Sequence, residues 1–391
     1  MAMGYKTYTC NMAKRCGGCE LLAVPYELQL KRKQQEMEEL FSDVLEHDHA
    51  ELKEIVGMEE PLHYRHKAAT PFAPGKRMRC GFYERDSHRI VFCKDCLVEA
   101  KGARKILRDV AAVADELKIS AYREDEGKGY LRHAVVRMGY ATKDALLTIV
   151  VNGDRLPRAK EFAHRIKARN PRLTGIVQNV NTRRTNAILG NRTTCLLGSP
   201  VMHDALLGTT FEIGPTSFYQ TNPAQTERLY RLAIDAIGDA HTLIDAYCGC
   251  GTIGICAATS ARAEGRELEV IGVERVDTAI GSARKNARAN DVADTCRFVC
   301  ADATEWMRKQ TGTPADALVL DPPRAGSTEE FLKGVLSIAP RRVVYVSCNP
   351  KTQVRDLEVL RAGGYRVDHV VPVDLFPHTK HVESVVSLTR A

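Results

Sequence analysis

From Thr226 onward the sequence alternates short apolar strands with helices, and this alternation limits the possible fold more than any other feature. Strands are predicted at 242–246, 269–274, 296–300, 317–320 and 342–347, and helices at 226–237, 276–289, 328–337 and 351–361. Such alternation is typical of a doubly wound parallel sheet, which binds ligands beyond the carboxyl ends of its strands. Two last strands, 365–374 and 383–389, are predicted to form a hairpin and an antiparallel edge.

The preceding part of the chain has a different pattern. Strand-like segments are predicted at 81–83, 89–92, 134–138, 145–151, 175–180, 187–189 and 210–213, with a helix at 101–117. The length of 391 residues allows two or more domains at roughly 150 residues each. We therefore predict a mostly antiparallel β domain over residues 1–217 and an α/β domain over 218–391. An amphipathic helix at 26–46 has an apolar face that would allow it to pack on the second domain.

Positive charge is concentrated in the first part of the chain. Residues 1–215 hold 35 Lys and Arg against 27 Asp and Glu, whereas the remainder holds 21 against 22. Between Arg155 and Arg192 ten basic residues accompany one acidic residue, Glu161. A segment of this kind suits a phosphate-rich partner, because each neutralised phosphate releases counterions. A solvated basic face would have the same composition.

The apolar runs exclude a membrane-spanning helix. They are strand-sized, and none approaches the ~18 apolar residues that such a helix needs. The N-terminus lacks the apolar region of a signal peptide. We therefore expect a cytoplasmic protein without membrane association.

Five of the thirteen cysteines form a pattern that suggests metal binding. Cys10, Cys16 and Cys19 are close in sequence, with two glycines before the third, and Cys93 and Cys96 follow about 75 residues later. Cysteines in a chain without a secretory signal are more often metal ligands or catalytic groups than disulfides. Both zinc and a 4Fe-4S cluster take four thiolates, so the residues leave both open.

Polar motifs follow the predicted strands where a nucleoside cofactor would bind. A glycine turn containing Tyr247 and Gly249 ends the first strand, and Glu274 ends the second. A carboxylate at the latter position can accept both ribose hydroxyls of a cofactor. Asp302, after the third strand, is expected beside the adenine edge.

The next two strand ends and the last strand carry groups suited to catalysis. Asp321 precedes two prolines that stiffen its loop, and Arg324 takes the place of the aromatic residue that amino-methylating enzymes use to stack their base. Cys348 ends the fifth strand, where a nucleophile would face the cleft. Two histidines and Glu383 come together before the last strand.

Six motifs, FYQTN, DAYCGCG, GVE, LDPPRAG, VSCNP and HTKHVES, follow in this order over residues 218–391. Together they resemble the RNA uracil carbon-5 methyltransferase family, which uses S-adenosylmethionine. The resemblance implies a Rossmann-like class I methyltransferase domain with Cys348 as nucleophile and Glu383 as general base. It also implies a set of cofactor contacts at Gln220, Tyr247, Glu274 and Asp321.

The N-terminal cysteines resemble those of the iron-sulfur branch of this family, which methylates large-subunit ribosomal RNA. The resemblance implies a 4Fe-4S cluster in the N-terminal domain, with the fourth ligand in the loop KDCLV rather than at Cys93. The implied ligands are Cys10, Cys16, Cys19 and Cys96. Nine residues before Cys10 leave no room for the small N-terminal TRAM barrel of some members. The chain is therefore similar to the shorter subgroup, which methylates a hairpin-loop uridine of 23S ribosomal RNA.

We thus expect an S-adenosylmethionine-dependent enzyme that acts on 23S ribosomal RNA and has no obligate protein partner. Two alternatives stay open. A transfer-RNA uracil methyltransferase would share the catalytic motifs, although that branch lacks the cysteines. An RNA-binding module with structural zinc and a silent methyltransferase fold would share the cysteines, although such a site should have lost Cys348 or Glu383.

Overall fold

The computed structural model describes residues 6–85, 87–310 and 315–391, and two large sheets organise them. The helices are α1 (Ala13–Cys16), α2 (Tyr26–Leu40), α3 (Ser42–Asp48), α4 (Ala103–Glu116), α5 (Ala159–Arg169), α6 (Pro223–Ile237), α7 (Thr252–Ala263), α8 (Asp277–Ala289), α9 (Ala303–Lys309), α10 (Glu329–Ile338) and α11 (Pro350–Ala362). The strands are β1 (Glu51–Leu52), β2 (Lys67–Ala73), β3 (Arg79–Tyr83), β4 (Ile90–Phe92), β5 (Leu131–Met138), β6 (Ala145–Val151), β7 (Gly175–Val180), β8 (Arg192–Gly198), β9 (Met202–Leu206), β10 (Thr209–Ile213), β11 (Thr242–Ala246), β12 (Glu269–Glu274), β13 (Cys296–Cys300), β14 (Ala317–Leu320), β15 (Arg342–Ser347), β16 (Tyr365–Val373) and β17 (Glu383–Arg390).

The C-terminal part forms an eight-stranded sheet in the order β1-β16-β17-β15-β14-β11-β12-β13. The strands β11 to β15 run parallel to one another. Every residue of β14 is buried, as expected for a parallel strand covered on both faces. The sheet therefore has the layered α/β architecture that the alternation predicted.

The last two strands form the predicted antiparallel hairpin beside the parallel strands. Strand β17 pairs antiparallel with both β15 and β16, so it lies inside the sheet rather than at its edge. The short strand β1 pairs with β16 and covers the outer side. Because β17 runs against its neighbours, its first residue, Glu383, lies at the same sheet edge as the end of β15.

The second sheet has seven strands in the order β4-β3-β2-β5-β6-β7-β8, and only β6 and β7 pair in parallel. The helices α4 and α5 pack on one face through a shared apolar core. The sequence did not predict α5, and the strand expected at 187–189 is a loop, with β8 beginning at Arg192. A separate two-stranded ribbon, β9 and β10, follows.

The N-terminal helices pack against the C-terminal sheet. Met37, Phe41 and Val44 share a core with Leu318 and Val343 of that sheet. The helix predicted at 26–46 is two helices, with the break at Phe41. The division of the chain at residue 217 stays a prediction.

Across the described residues we find no helix with both the length and the apolar character needed to cross a membrane.

Candidate active site and RNA interface

One edge of the eight-stranded sheet collects the predicted catalytic and cofactor residues. The carboxyl ends of β12, β11, β14 and β15 lie there in that spatial order, followed by the start of β17. The residues at or directly after these ends are Glu274, Tyr247, Asp321, Cys348 and Glu383. Positions separated by more than 130 residues in the chain are thus neighbours along one edge.

The turn after β11 leaves its backbone open to a ligand. Gly249 has φ +56°, and a Cβ there would meet no heavy atom within 4 Å. Tyr247 also has a left-handed backbone, with φ 63°, which costs free energy in a residue other than glycine and is often retained at functional sites. Its ring packs on Phe331 with centroids 5.2 Å apart.

Gln220 lies in the segment before α6, and its contact with the cofactor stays a prediction. The Cys250 thiol donates to the Phe218 carbonyl at 3.6 Å, which ties this segment to the glycine turn. Gln220 and Glu274 are both half-buried. One carboxylate oxygen of Glu274 accepts a hydrogen bond from the Val276 amide at 2.9 Å, and this bond orients its side chain.

Asp302 caps a helix that the sequence did not predict. Its Oδ1 atom accepts hydrogen bonds from the amides of Thr304 and Glu305, at 3.0 and 3.2 Å, at the start of α9. The carboxylate therefore has a structural role at this position. Its expected placement beside an adenine edge stays a prediction.

The loops after β14 and β15 are bonded to each other. The Asn349 side-chain amide donates to the Arg324 carbonyl at 2.9 Å, and the Thr352 hydroxyl donates to it at 3.4 Å. The Asn349 backbone amide is held by the Ser347 hydroxyl at 3.0 Å. These bonds fix Cys348 relative to Asp321 and Arg324.

Three ionisable groups at this edge have raised pKa values. Burial, together with Glu383 and Asp321, raises the pKa of the Cys348 thiol to about 11, while Arg324 lowers it. Burial and Asp321 raise the pKa of Glu383 to about 8, and Arg324 again opposes the shift. Burial raises the pKa of Asp321 to about 7. Arg324 is therefore the cation that favours ionisation of both the thiol and the Glu383 carboxyl.

A third carboxyl with a raised pKa lies beneath the glycine turn. Asp245 is buried and accepts a hydrogen bond from the Gly254 amide at 2.9 Å. Burial raises its pKa to about 7, with Asp321 and Glu274 adding to the shift. A cleft with this much acidic character suits a cationic ligand, because a positive charge would relieve the repulsion.

Comparisons with known proteins identify the family of this chain. A family model described as tRNA (uracil-5-)-methyltransferase matches residues 208–391. A protein of Halalkalibacterium halodurans, named as an uncharacterized RNA methyltransferase, is 40% identical over 97% of this chain and 82% of its own length. The chain belongs to the RNA uracil-5 methyltransferase family. A member named as an RNA methyltransferase in Staphylococcus aureus is 38% identical over 96% of this chain and 83% of its own length.

The fold of this uracil-5 methyltransferase family member is also similar to that of a solved structure. The Pyrococcus abyssi tRNA (uracil-54, C5)-methyltransferase, in complex with S-adenosyl-L-homocysteine, superimposes with a TM-score of 0.79 at 27% identity. The match covers 95% of this chain and 86% of the Pyrococcus chain. The protein has the class I methyltransferase fold and is an S-adenosylmethionine-dependent RNA methyltransferase.

The segment that leads to Glu383 is held by the N-terminal helix α2. The His378 amide donates to Gln29 Oε1 at 3.0 Å, and the Leu21 amide donates to the His378 carbonyl at 2.9 Å. The Gln29 side-chain nitrogen donates to the carbonyls of Leu21 and Val24, at 3.0 and 2.8 Å. The loop after Cys19 is thus bonded to the loop before the candidate base.

The other three predicted cluster ligands all act on the pKa of Cys19. Burial raises the pKa of the Cys19 thiol to about 12, and Cys96, Cys16 and Cys10 add to the shift in that order. Even so, no three His, Cys, Asp or Glu side chains of the described residues form a group arranged to hold a metal ion. The ligand set stays a prediction.

Cys93 has a different environment from Cys96. Cys93 is buried and its thiol donates to the Asp95 carbonyl at 2.8 Å, whereas Cys96 is half-buried. Cys93 is also absent from the groups that raise the Cys19 pKa, and Cys96 heads the thiols among them. Cys10 raises the pKa of the Cys93 thiol, however, so both cysteines lie near the N-terminal group, and the choice of Cys96 stays a prediction.

The predicted basic segment is divided between two places. On α5, Arg165 pairs with both Glu161 and Glu116, and Arg169 also pairs with Glu116. In the loop before β8, Arg183 and Arg184 are exposed, and their guanidinium groups donate to backbone carbonyls at 3.5 Å each. Neither forms an ion pair with any carboxylate in the described ranges. The loop arginines are therefore the members best placed to meet phosphate.

Two groups near the site had not been assigned a role from the sequence. Arg324 was noted only as a departure from another enzyme class, although its place after Pro323 puts it beside Cys348. Lys33 is buried on the same face of α2 as Tyr26, Gln29 and Met37. These four residues recur at helical spacing, so two polar side chains share a face with two apolar ones. That pattern in the sequence indicates a buried polar contact.

Proposed function

We propose that this methyltransferase forms 5-methyluridine in 23S ribosomal RNA, at a hairpin-loop uridine, through a covalent adduct with Cys348. The observation that carries the proposal is the juxtaposition of a thiol and a buried carboxyl, Cys348 and Glu383, on neighbouring strand ends. Carbon 5 of uracil is too weak a nucleophile to take a methyl group unaided. A thiol and a base on the two sides of one substrate ring suit this reaction.

The cofactor residues Gln220, Tyr247, Glu274 and Asp321 would hold S-adenosylmethionine along the ends of β11, β12 and β14. The open backbone at Gly249 and the acidic character of the cleft fit a cationic nucleoside. When bound, S-adenosylmethionine supplies the methyl group as an electrophile. The half-buried Glu274 is placed to accept hydrogen bonds from ribose hydroxyls.

Cys348 starts the reaction by adding its thiolate to carbon 6 of the uracil. The electron pair of the carbon 5–carbon 6 bond moves toward the carbonyl at carbon 4, and the resulting enolate takes the methyl group at carbon 5. Arg324 assists by lowering the pKa of the thiol, which burial has raised. The residue thus acts as a positioned cation for thiolate formation.

Glu383 completes the reaction by taking the proton from carbon 5. The electron pair of that bond re-forms the carbon 5–carbon 6 double bond and expels the Cys348 thiolate. A carboxyl with its pKa raised to about 8 is a stronger base than an exposed one. The uridine must leave its stack to present both faces, which costs least in a loop.

We also propose that Cys10, Cys16, Cys19 and Cys96 hold a 4Fe-4S cluster. The thiols of Cys96, Cys16 and Cys10 raise the pKa of the Cys19 thiol, because ionised thiols repel, and a bound cation would reverse that repulsion. Uracil methylation transfers no electrons, so the cluster would order the N-terminal region. Leu21 and Gln29 are hydrogen-bonded to His378, so an ordered N-terminal region would also hold the segment that leads to Glu383.

Transfer RNA is the second candidate substrate, because the Pyrococcus structure with a TM-score of 0.79 is an enzyme for uracil 54 of tRNA. The two substrates can be separated by mapping 5-methyluridine in total RNA after deletion of the gene. Loss of one 5-methyluridine from 23S RNA, restored by the wild-type gene and not by Cys348→Ala, is the expected result. Loss from tRNA alone would assign the enzyme to the second substrate.

A further inference from the structure

A second cavity lies on the seven-stranded sheet, outside the methyl-transfer site. Its volume is about 340 Å³, and its walls come from β2, β3, β5 and the loop that follows Arg184. Tyr83 and His133 form an aromatic corner, with ring centroids 6.2 Å apart and an interplanar angle of 76°. The size and the aromatic wall suit a flat heterocycle.

The cavity also holds polar atoms without partners. His133 is only 7% exposed, and its Nδ1 atom has no hydrogen-bond partner among the described residues. Burial and the neighbouring Arg132 lower the pKa of His133 to about 4, so the ring is neutral and offers one donor and one acceptor. A buried polar atom without a partner is costly unless a ligand supplies one.

The loop beside the cavity is held in place by Arg132. The Arg132 guanidinium donates to the carbonyls of Asn181 and Arg183, at 2.8 Å each, and to Glu124 at 3.0 Å. These bonds fix the backbone from which Arg183 and Arg184 project as exposed guanidinium groups. Two positive charges next to an aromatic cavity suit a nucleic acid strand. Its phosphates would meet the two charges, and one of its bases would enter the cavity.

Strand β5 connects this cavity to the methyl-transfer region. Arg137 lies four residues beyond His133, which is about 13 Å along a strand, and donates to the Ser217 carbonyl just before Phe218 and Gln220. One RNA strand could therefore contact both sites.

We propose that this cavity binds one unpaired base of the RNA substrate, distinct from the target uracil, while Arg183 and Arg184 bind the adjoining phosphates. The inference rests on the RNA substrate of the family and not on which RNA is methylated. Stacking on Tyr83 would supply affinity with little sequence preference, and the His133 ring would contact the edge of the base.

The test fills the cavity without changing its charge. Ala187 lines the cavity and is exposed, so Ala187→Trp should fold normally while blocking base entry. Ala112→Trp, on the exposed side of α4, is the matched control. Binding of fluorescent twelve-nucleotide oligouridylate is compared with binding of an abasic ribose-phosphate chain of the same length, using the full-length enzyme.

Ala187→Trp should weaken oligouridylate binding by between about 5- and 150-fold, the range for one stacked base, and leave abasic-chain binding unchanged. Tyr83→Ala should give the same pattern and serves if the first variant is unstable. Equal losses for both chains, or none for either, would overturn the proposal. A wild-type enzyme inactive on 23S RNA would refute the substrate assignment alone, since the binding assay uses no methylation.

Discussion

The Lys33 ammonium lies 2.7 Å from the Asp374 carboxylate, and both side chains are buried. Lys33 also donates to the His381 carbonyl at 2.9 Å, and the Tyr26 hydroxyl donates to the other Asp374 oxygen at 2.8 Å. Helix α2 thus binds both ends of the segment 374–381, which leads into Glu383. A residue from the first tenth of the chain supports the candidate base.

Lys33→Met should lower the free energy of unfolding by about 3 to 5 kcal/mol, because it leaves the Asp374 carboxylate buried without its partner. Lys31→Met, on the exposed side of the same helix, should change it by less than about 0.5 kcal/mol. Urea unfolding measures both. Adding Asp374→Asn to Lys33→Met should recover part of the loss, and equal stability of the two lysine variants would contradict the role of the pair.

Cys348→Ala and Glu383→Ala should fail at different steps. Without the thiol nothing adds to carbon 6, so Cys348→Ala should give neither methylation nor a protein–RNA adduct. Without the carboxylate the carbon-5 proton stays, so Glu383→Ala should accumulate a methylated adduct that survives a denaturing gel. RNA containing 5-fluorouridine should trap the wild-type enzyme likewise. An adduct with Cys348→Ala would assign the nucleophile elsewhere, and rapid turnover by Glu383→Ala would assign the base to a neighbour such as His381.

The raised pKa of Glu383, about 8 against an ordinary 4.5, predicts a pH-dependent stability. Between these values the folded state keeps a proton that the unfolded state has lost, so the free energy of unfolding falls as pH rises. Glu383→Gln should therefore match the wild type near pH 5 and exceed it by a few kcal/mol, on the order of 3, near pH 8.

Urea unfolding of the cofactor-free enzyme at pH 5, 6.5 and 8 checks this expectation. Glu358→Gln, at an exposed position of α11, controls for the effect of an amide alone. A constant difference between Glu383→Gln and the wild type across these pH values would show that Glu383 is ionised throughout.

Cys96→Ser should remove most of the iron from anaerobically purified protein and lower stability and RNA affinity together. Cys93→Ser should keep the iron, because a serine hydroxyl can replace the thiol as donor to the Asp95 carbonyl. Iron analysis and the visible absorbance of the brown protein measure the difference. Equal iron loss in the two variants would overturn the choice of Cys96, and zinc in place of iron would overturn the cluster.

Replacing Arg183 and Arg184 by alanine should weaken RNA binding and reduce its salt dependence. The slope of log affinity against log salt should fall by about 0.7 for each lost single-strand phosphate contact. The control replaces Arg165 and Arg169, which already pair with Glu116, and should leave the slope unchanged. A slope that changes only in the control would move the RNA path to α5.

The C-terminal sheet was predictable because its strands are continuous apolar runs that end at polar motifs. Strands β11 to β15 have the predicted bounds for this reason, and the same motifs located the edge where Cys348 and Glu383 meet. Helix α9 was missed because it spans only seven residues and its capping residue, Asp302, had been interpreted as a cofactor contact. The capping bonds of Asp302 use Oδ1 alone, so the cap explains the helix and leaves the cofactor contact a prediction.

The N-terminal half was less predictable because its decisive contacts are distant in sequence. The charges of α5 were interpreted as part of an RNA-binding surface, although Arg165 and Arg169 pair with carboxylates across two helices. The bond between Lys33 and Asp374 joins residues 341 positions apart. Composition shows that a charge is present, but its partner depends on packing.

The place of β17 between β15 and β16 has a consequence for the order of assembly. Ser347 pairs with Ser384, so the thiol and the base become neighbours only when this strand enters the sheet. Since β17 lies between β16 and the five parallel strands, we expect β16 and β17 to join together, after the parallel strands have formed. The predicted cofactor residues on the parallel strands would then be in place before Glu383 joins Cys348. A growing chain would therefore acquire its cofactor site first and its catalytic pair last.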